Sequence, residues 1–161
     1  MDYLWTPWRY AYITTADTSA KDQGCIFCGL LRSGDDEKAL IVHRAKHNFV
    51  ILNAFPYTSG HSMIVPYDHL DRLQKLPHAA AVEMMELAQH LEAAFHDLYR
   101  PDGVNVGMNI GKAAGAGIAG HIHMHALPRW VADANFMTVI GETRVLPEGL
   151  TTTYQRLKTK F

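Results

Sequence analysis

The chain has 161 residues, 48% of them hydrophobic and 19% charged, with 15 Lys and Arg balanced by 16 Asp and Glu. That length suits one domain with its own core, and the apolar content excludes wholesale disorder. No apolar run approaches the roughly 18 residues of a membrane helix, no basic patch suits a nucleic-acid backbone, and Asp2, Pro7 and Arg9 interrupt any signal-peptide pattern, so a cytoplasmic protein with neither membrane nor nucleic acid as partner is expected.

Residues 1–24 read as an arm and loop. Trp5, Trp8, Tyr10 and Tyr12 crowd its first half, and Pro7 discourages a long helix there. The arm is expected to pack on its own domain or on a second subunit. Three short apolar runs follow, Ala39 to His43, Phe49 to Leu52 and Ser62 to Val65, each closed by a turn or a proline. They predict an antiparallel meander. Pro77 suits a first helical turn, and Met84, Leu87, Leu91, Phe95 and Leu98 recur at spacings of three and four, which predicts one long helix. Pro101-Asp102-Gly103 stops it. Val104 to Ile110 reads as a strand, and Gly111 to Gly120 as a glycine- and alanine-rich loop. His121 to Leu127 reads as another strand, bounded by Pro128. The fold class is α+β, a mainly antiparallel sheet of about five strands with one long helix. Residues 25–145 form the domain and residues 146–161 a C-terminal tail.

Chemistry is expected at two clusters. His121, His123 and His125 are two apart, which in a strand places all three imidazoles on one face and sends Ile122, Met124 and Ala126 to the core. Such a row suits phosphorus chemistry, with a central nucleophile and neighbours that manage charge. It also suits a metalloenzyme with zinc directly on the three His, or a strand merely decorated with His. Gly111, Gly115, Gly117 and Gly120 let backbone N–H groups approach an anion, which tilts the reading toward phosphate. By itself the same loop could be a flexible turn. The other cluster is Cys25 and Cys28, half of a tetrahedral zinc site. A disulfide, a redox pair and two buried thiols are the alternatives. No other Cys exists, so further ligands must be His, with His43, His47 and His61 among those available.

HIHMHALPR, from His121 to Arg129, resembles the motif of the histidine triad superfamily. ILNAFPYTSGHSMIVPYDH resembles that family's strand–turn–strand, and GVNVGMNIGKAAGAG its phosphate loop. GCIFC resembles an entry segment of bacterial members. LWTPWR and PRWVADANFMTVIG resemble the branch of dinucleoside polyphosphate phosphorylases and hydrolases.

The resemblance implies a histidine-triad fold and a homodimer. It implies a nucleotidyl hydrolase or transferase acting at an α-phosphate, on dinucleoside polyphosphates such as diadenosine tetraphosphate. His123 would be the nucleophile and form a nucleotidyl-histidine. His125 would contact phosphoryl and leaving-group oxygens, and His121 would orient the site. Asn53 would hold ribose hydroxyls, with a turn-capping role as its alternative. Asn109 would touch phosphate, as would Gly115 and Gly117 in the loop. Water or inorganic phosphate would be the acceptor. A nucleoside phosphoramidate hydrolase and a non-catalytic nucleotide-binding sensor are the alternatives. Related zinc-bearing proteins imply that a structural zinc joins Cys25 and Cys28 to His69 and His121. One departure stands out: Ala116-Gly117-Ile118-Ala119 offers no hydroxyl where many members place Ser or Thr.

Overall fold

The computed structural model describes residues 24–134 and 147–161. The aromatic arm and the segment around Phe136 lie outside the described residues. In chain order the elements are α1 (Ile26–Arg32), α2 (Asp36–Ala39), β1 (Ile41–Arg44), β2 (Asn48–Leu52), β3 (Ser62–Pro66), α3 (His78–Tyr99), β4 (Gly103–Met108), β5 (Met124–Arg129) and α4 (Leu150–Lys158). The strands form one sheet in the order β1-β2-β3-β5-β4, and every neighbouring pair is antiparallel.

Side-chain alternation gives the sheet two buried faces. Val50, Leu52 and Ile64 face a core with Met84, Leu91 and Phe95 of α3 and Tyr154 and Leu157 of α4. Phe49, Ile51, Met63 and Val65 face the other way, against Phe27 of α1 and Ala39 of α2. Alternation places Val42 in the first core and Ile41 in the second, and a register shift between Ile41 and His43 then brings His43 opposite Val50. The turn from β1 to β2 is fastened to α3 by one carboxylate. Glu83 accepts hydrogen bonds from the N–H groups of Lys46, His47 and Asn48 and from Asn48 Nδ2, at 2.8–3.0 Å. Gly60, at φ 84°, must be glycine twice over, because a Cβ there would meet Pro128 Cγ at 3.1 Å and Tyr99 Cε2 at 3.3 Å.

The meander and the long helix stand where the sequence puts them. Some boundaries differ for physical reasons. β1 starts at Ile41 because Ala39 closes α2 and Leu40 turns left-handed at φ 60°. β4 ends at Met108, so Asn109 and Ile110 leave the ladder. The last strand does not begin at His121. The Ile122 N–H donates to the Leu70 carbonyl at 2.7 Å, outside the sheet, and ladder pairing starts at Met124. It also runs through Pro128, which is tolerated because pairing with β3 ends at Ala126. The helices α1 and α4 were not expected. Leu157 of α4 is fully buried in the same core as α3.

Candidate active site

The site forms where β5 begins. His125 pairs across the sheet with Met63 on β3 and with Gly107 on β4. Cross-strand partners share a face, so His125 lies on the α1 side. A Cβ at Gly107 would meet nothing within 4 Å, so the sheet beside His125 is open on the β4 side. The ring of His123 stands next to that of His125, with centroids 4.9 Å apart.

The hydrogen bonds fix which nitrogen of each ring carries the proton. His123 Nδ1–H donates to the His121 carbonyl at 2.9 Å, which leaves the Nε2 lone pair unprotonated. His61 Nδ1 accepts from the Tyr57 N–H at 3.1 Å and lies 3.4 Å from Asn53 Nδ2, a second donor. Its proton is therefore on Nε2, which donates to His125 Nδ1 at 2.9 Å. His125 in turn carries its own proton on Nε2. The array thus presents a lone pair on His123 beside a donor on His125.

Burial disfavours the charged form of the three triad rings. Burial pushes His125 down to about 4, with His123 adding to the effect. Burial also lowers His123, against the opposing pull of the His121 carbonyl. His121 is lowered by burial first, opposed by the Pro66 carbonyl, with His69 and His123 adding to the depression.

His121 shares the α1 side but turns its ring nitrogens to other partners. The row was expected on one exposed strand face, yet His121 is 0% and His123 4% exposed. His121 precedes the strand, so its ring need not follow the alternation. Its Nε2–H donates to the Pro66 carbonyl at 2.9 Å. That frees Nδ1, which lies 3.3 Å from Cys25 Sγ and 3.7 Å from Cys28 Sγ. His69 Nδ1 lies 3.5 Å from Cys28 Sγ. The ligand atoms of Cys25, Cys28, His69 and His121 all fall within 4.8 Å of one another, a group that could hold a metal ion. The donor set fits: two thiols and two imidazoles are the ligands of a closed tetrahedral site. Burial raises the Cys28 thiol, and the adjacent Cys25 raises it further, so two thiolates here call for a cation. His43 and His47 stand apart from this group, and His61 serves His125 instead.

The remaining candidates are placed as follows. Asn53 Oδ1 accepts from the Phe55 N–H at 2.9 Å, which is the turn-capping arrangement. Asn109 is half-buried just past β4. Gly115, at φ 88°, closes a 3-10 turn and donates its N–H to the Lys112 carbonyl at 2.9 Å. Gly117 is exposed in the same loop, and Ile118 packs against the core cluster that contains Phe27. The link from His61 to His125 was not expected from sequence. The two are 64 positions apart, and the only local signal was a His after a glycine at a strand start.

Residues 35–131 match the HIT domain family. The chain is 37% identical to an AP-4-A phosphorylase of Mycobacterium tuberculosis (strain ATCC 25618 / H37Rv), over 98% of this chain and 83% of the relative. It is 31% identical to an adenosine 5'-monophosphoramidase of Saccharomyces cerevisiae, over 73% of this chain and 72% of that one. Among solved structures, a Zn-bound histidine triad family protein from Mycobacterium smegmatis superposes with a TM-score of 0.69 at 25% identity, covering 85% of this chain and 92% of the other. With the family's region spanning the sheet, α3 and all three histidines, the chain belongs to the HIT domain family.

Proposed function

We propose that this chain is a nucleotidyl hydrolase or transferase that works through a nucleotidyl-histidine, with dinucleoside polyphosphates such as diadenosine tetraphosphate as substrates. One observation carries the reading: the His121 carbonyl ties up the Nδ1–H of His123, so Nε2 keeps its lone pair in a dry site. That is the state a nucleophilic imidazole needs. The 37% identity to an AP-4-A phosphorylase supports the substrate class.

In this mechanism His123 Nε2 forms a bond to the α-phosphorus, and the bond from phosphorus to the bridging oxygen breaks. The polyphosphate leaves as an anion, so a hydrogen bond from His125 Nε2–H to that oxygen suffices without a full proton transfer. His61 keeps His125 in the donor tautomer. Asn53, Asn109 and the loop of Gly115 and Gly117 would hold ribose and phosphate. An incoming phosphate oxyanion, or a water that releases its proton to solvent, then attacks phosphorus, and the bond to Nε2 breaks, returning the lone pair to His123. His121 anchors the segment from its side.

Cys25, Cys28, His69 and His121 would hold a structural zinc, which supplies a cross-link between α1 and the histidine segment rather than a reacting group. A cytoplasmic location belongs to the same reading, since a Cys pair kept reduced as zinc ligands suits a reducing compartment. So does a homodimer. β4 is an edge strand with Val106 46% exposed, and such an edge can pair with a second copy.

The test is label transfer. Substrate labelled at the α-phosphate should leave label on wild-type protein after an acid-free quench and none on His123→Ala, which should still bind nucleotide. Running the reaction with and without inorganic phosphate identifies the acceptor by product chromatography, and including phosphoramidates tests that alternative. Turnover by His123→Ala near the wild-type rate would overturn the mechanism. Metal analysis should find about one zinc per chain, and sedimentation should find twice the chain mass.

A further inference from the structure

Phe27 stands between the two cysteines in the chain and between two imidazoles in space. It is 2% exposed. Its ring meets His121 edge-on at a centroid distance of 5.4 Å and His123 at 5.2 Å with a 59° tilt. Its helix has little to hold it by itself. α1 has seven residues, no side-chain hydrogen bond at its N-cap Cys25 and no acidic residue in its first turn. A helix that short owes its position to what it packs on and what it is tied to.

His123 needs more than one restraint. The hydrogen bond to the His121 carbonyl fixes Nδ1 but leaves the ring free to tilt about that contact. His125 limits it on one side. Phe27 supplies another wall. We propose that Phe27 is a positioning residue for His123, fixing the plane of the imidazole, and that the flanking cysteines fix Phe27 when a metal joins them to His69 and His121. The metal group then reaches the nucleophile by two routes, the His121 carbonyl that holds Nδ1 and the buried Phe27 ring that sets the ring plane. The catalytic consequence rests on the nucleotidyl-histidine reading; the coupling itself does not.

The experiment uses full-length, zinc-loaded protein carrying Phe27→Leu or Phe27→Tyr, with histidine ring nitrogens observed by NMR. Chelation of the wild type should shift the His123 ring signals. Phe27→Leu should still bind about one zinc and bind a non-hydrolysable dinucleotide within about twofold of wild type. Its His123 signals should nonetheless be displaced, and label attachment should slow by about tenfold to a hundredfold, the scale of a small misplacement at a reacting atom. Phe27→Tyr, which keeps the ring, should restore both. Wild-type signals and labelling rate in Phe27→Leu would overturn the proposal. Should that variant fail to bind zinc, the zinc-free proteins decide: His123 signals that coincide in chelated wild type and Phe27→Leu overturn the positioning role, and signals that differ, with Phe27→Tyr matching wild type, support it. A wild type that takes no label refutes the mechanism, while the ring spectra still decide the coupling.

Discussion

Replacing Glu83 with alanine tests how the hairpin that begins the sheet is held. The carboxylate accepts four hydrogen bonds from three consecutive residues. Those from Asn48 are the costly ones to lose, because Asn48 is 0% exposed and its donors lie out of reach of bulk water. An orphaned buried donor costs about 1–3 kcal/mol, and Asn48 has two facing Glu83, although its Nδ2 also donates to the Ala80 carbonyl at 3.0 Å. Lys46 is exposed and His47 half-buried, so water offsets most of their loss. Together these give about 3–5 kcal/mol for Glu83→Ala. Glu83→Gln keeps one acceptor oxygen but turns an NH2 toward donors, so it should cost about 2 kcal/mol. With a urea slope of about 2 kcal/mol per molar, the midpoint should fall by about 2 M for alanine and about 1 M for glutamine. Equilibrium unfolding followed by circular dichroism measures both. A loss below about 1 kcal/mol for alanine, at unchanged slope, would refute the claim that this carboxylate staples the turn to α3.

Three further outcomes are expected. His61→Ala should slow label attachment to His123 by about a hundredfold, the scale of general acid–base support, with nucleotide affinity nearly unchanged; a rate within threefold of wild type would show that the His125 tautomer needs no lock. Gly107→Val places a side chain in open space beside His125; thermal stability should stay within about 0.5 kcal/mol of wild type while substrate KM rises, and an unchanged KM would place the substrate elsewhere. Stability should fall as pH drops from about 6.5, the ordinary imidazole value, toward the value of about 4 set for His125 by burial and then by His123. Within that window the unfolded chain binds a proton that the folded ring refuses, so the contribution is present above the window and lost through it. His43 acts in the same direction, lowered by burial first and then by Lys158 and His90 against the pull of Glu83. A urea midpoint that rises on acidification from pH 6.5 to 4.5 would contradict this.

Several parts of the architecture were legible in the residues. Met84, Leu87, Leu91 and Phe95 are all buried, so the spacing of three and four reported a real face of α3. The short apolar runs became β1, β2 and β3 because both faces of the sheet are covered there. The boundary of β5 was harder. His-x-His-x-His alternates perfectly, but alternation reports side-chain direction and not the destination of backbone hydrogen bonds, which for Ile122 is Leu70. α4 was hidden by its composition: LTTTYQRLK carries few apolar residues, and Tyr154 and Leu157 reach the core with Leu150 at its edge. In the site, the grouping of Cys25 and Cys28 with His69 and His121 followed from family resemblance, not from spacing. The contacts of His61 and Phe27 with the histidines are long-range; the Gly60-His61 pair marks a His at a strand start but not its partner, and nothing local signals the contact of Phe27.

The dry, uncharged state of the imidazoles has a thermodynamic consequence. A polyphosphate that enters brings several negative charges to His123 and His125, whose pKa values burial holds below the ordinary imidazole value. An anion in contact with a ring whose pKa is held down by burial raises it again. Ligand binding and proton binding are then linked: the complex takes up protons from solution that neither partner holds alone. Affinity for a polyanion should strengthen as the solution is acidified toward pH 6, and the heat of binding should vary with the ionisation enthalpy of the buffer, in proportion to the protons absorbed. The depressed imidazoles thus make the site's charge a property of its occupied state.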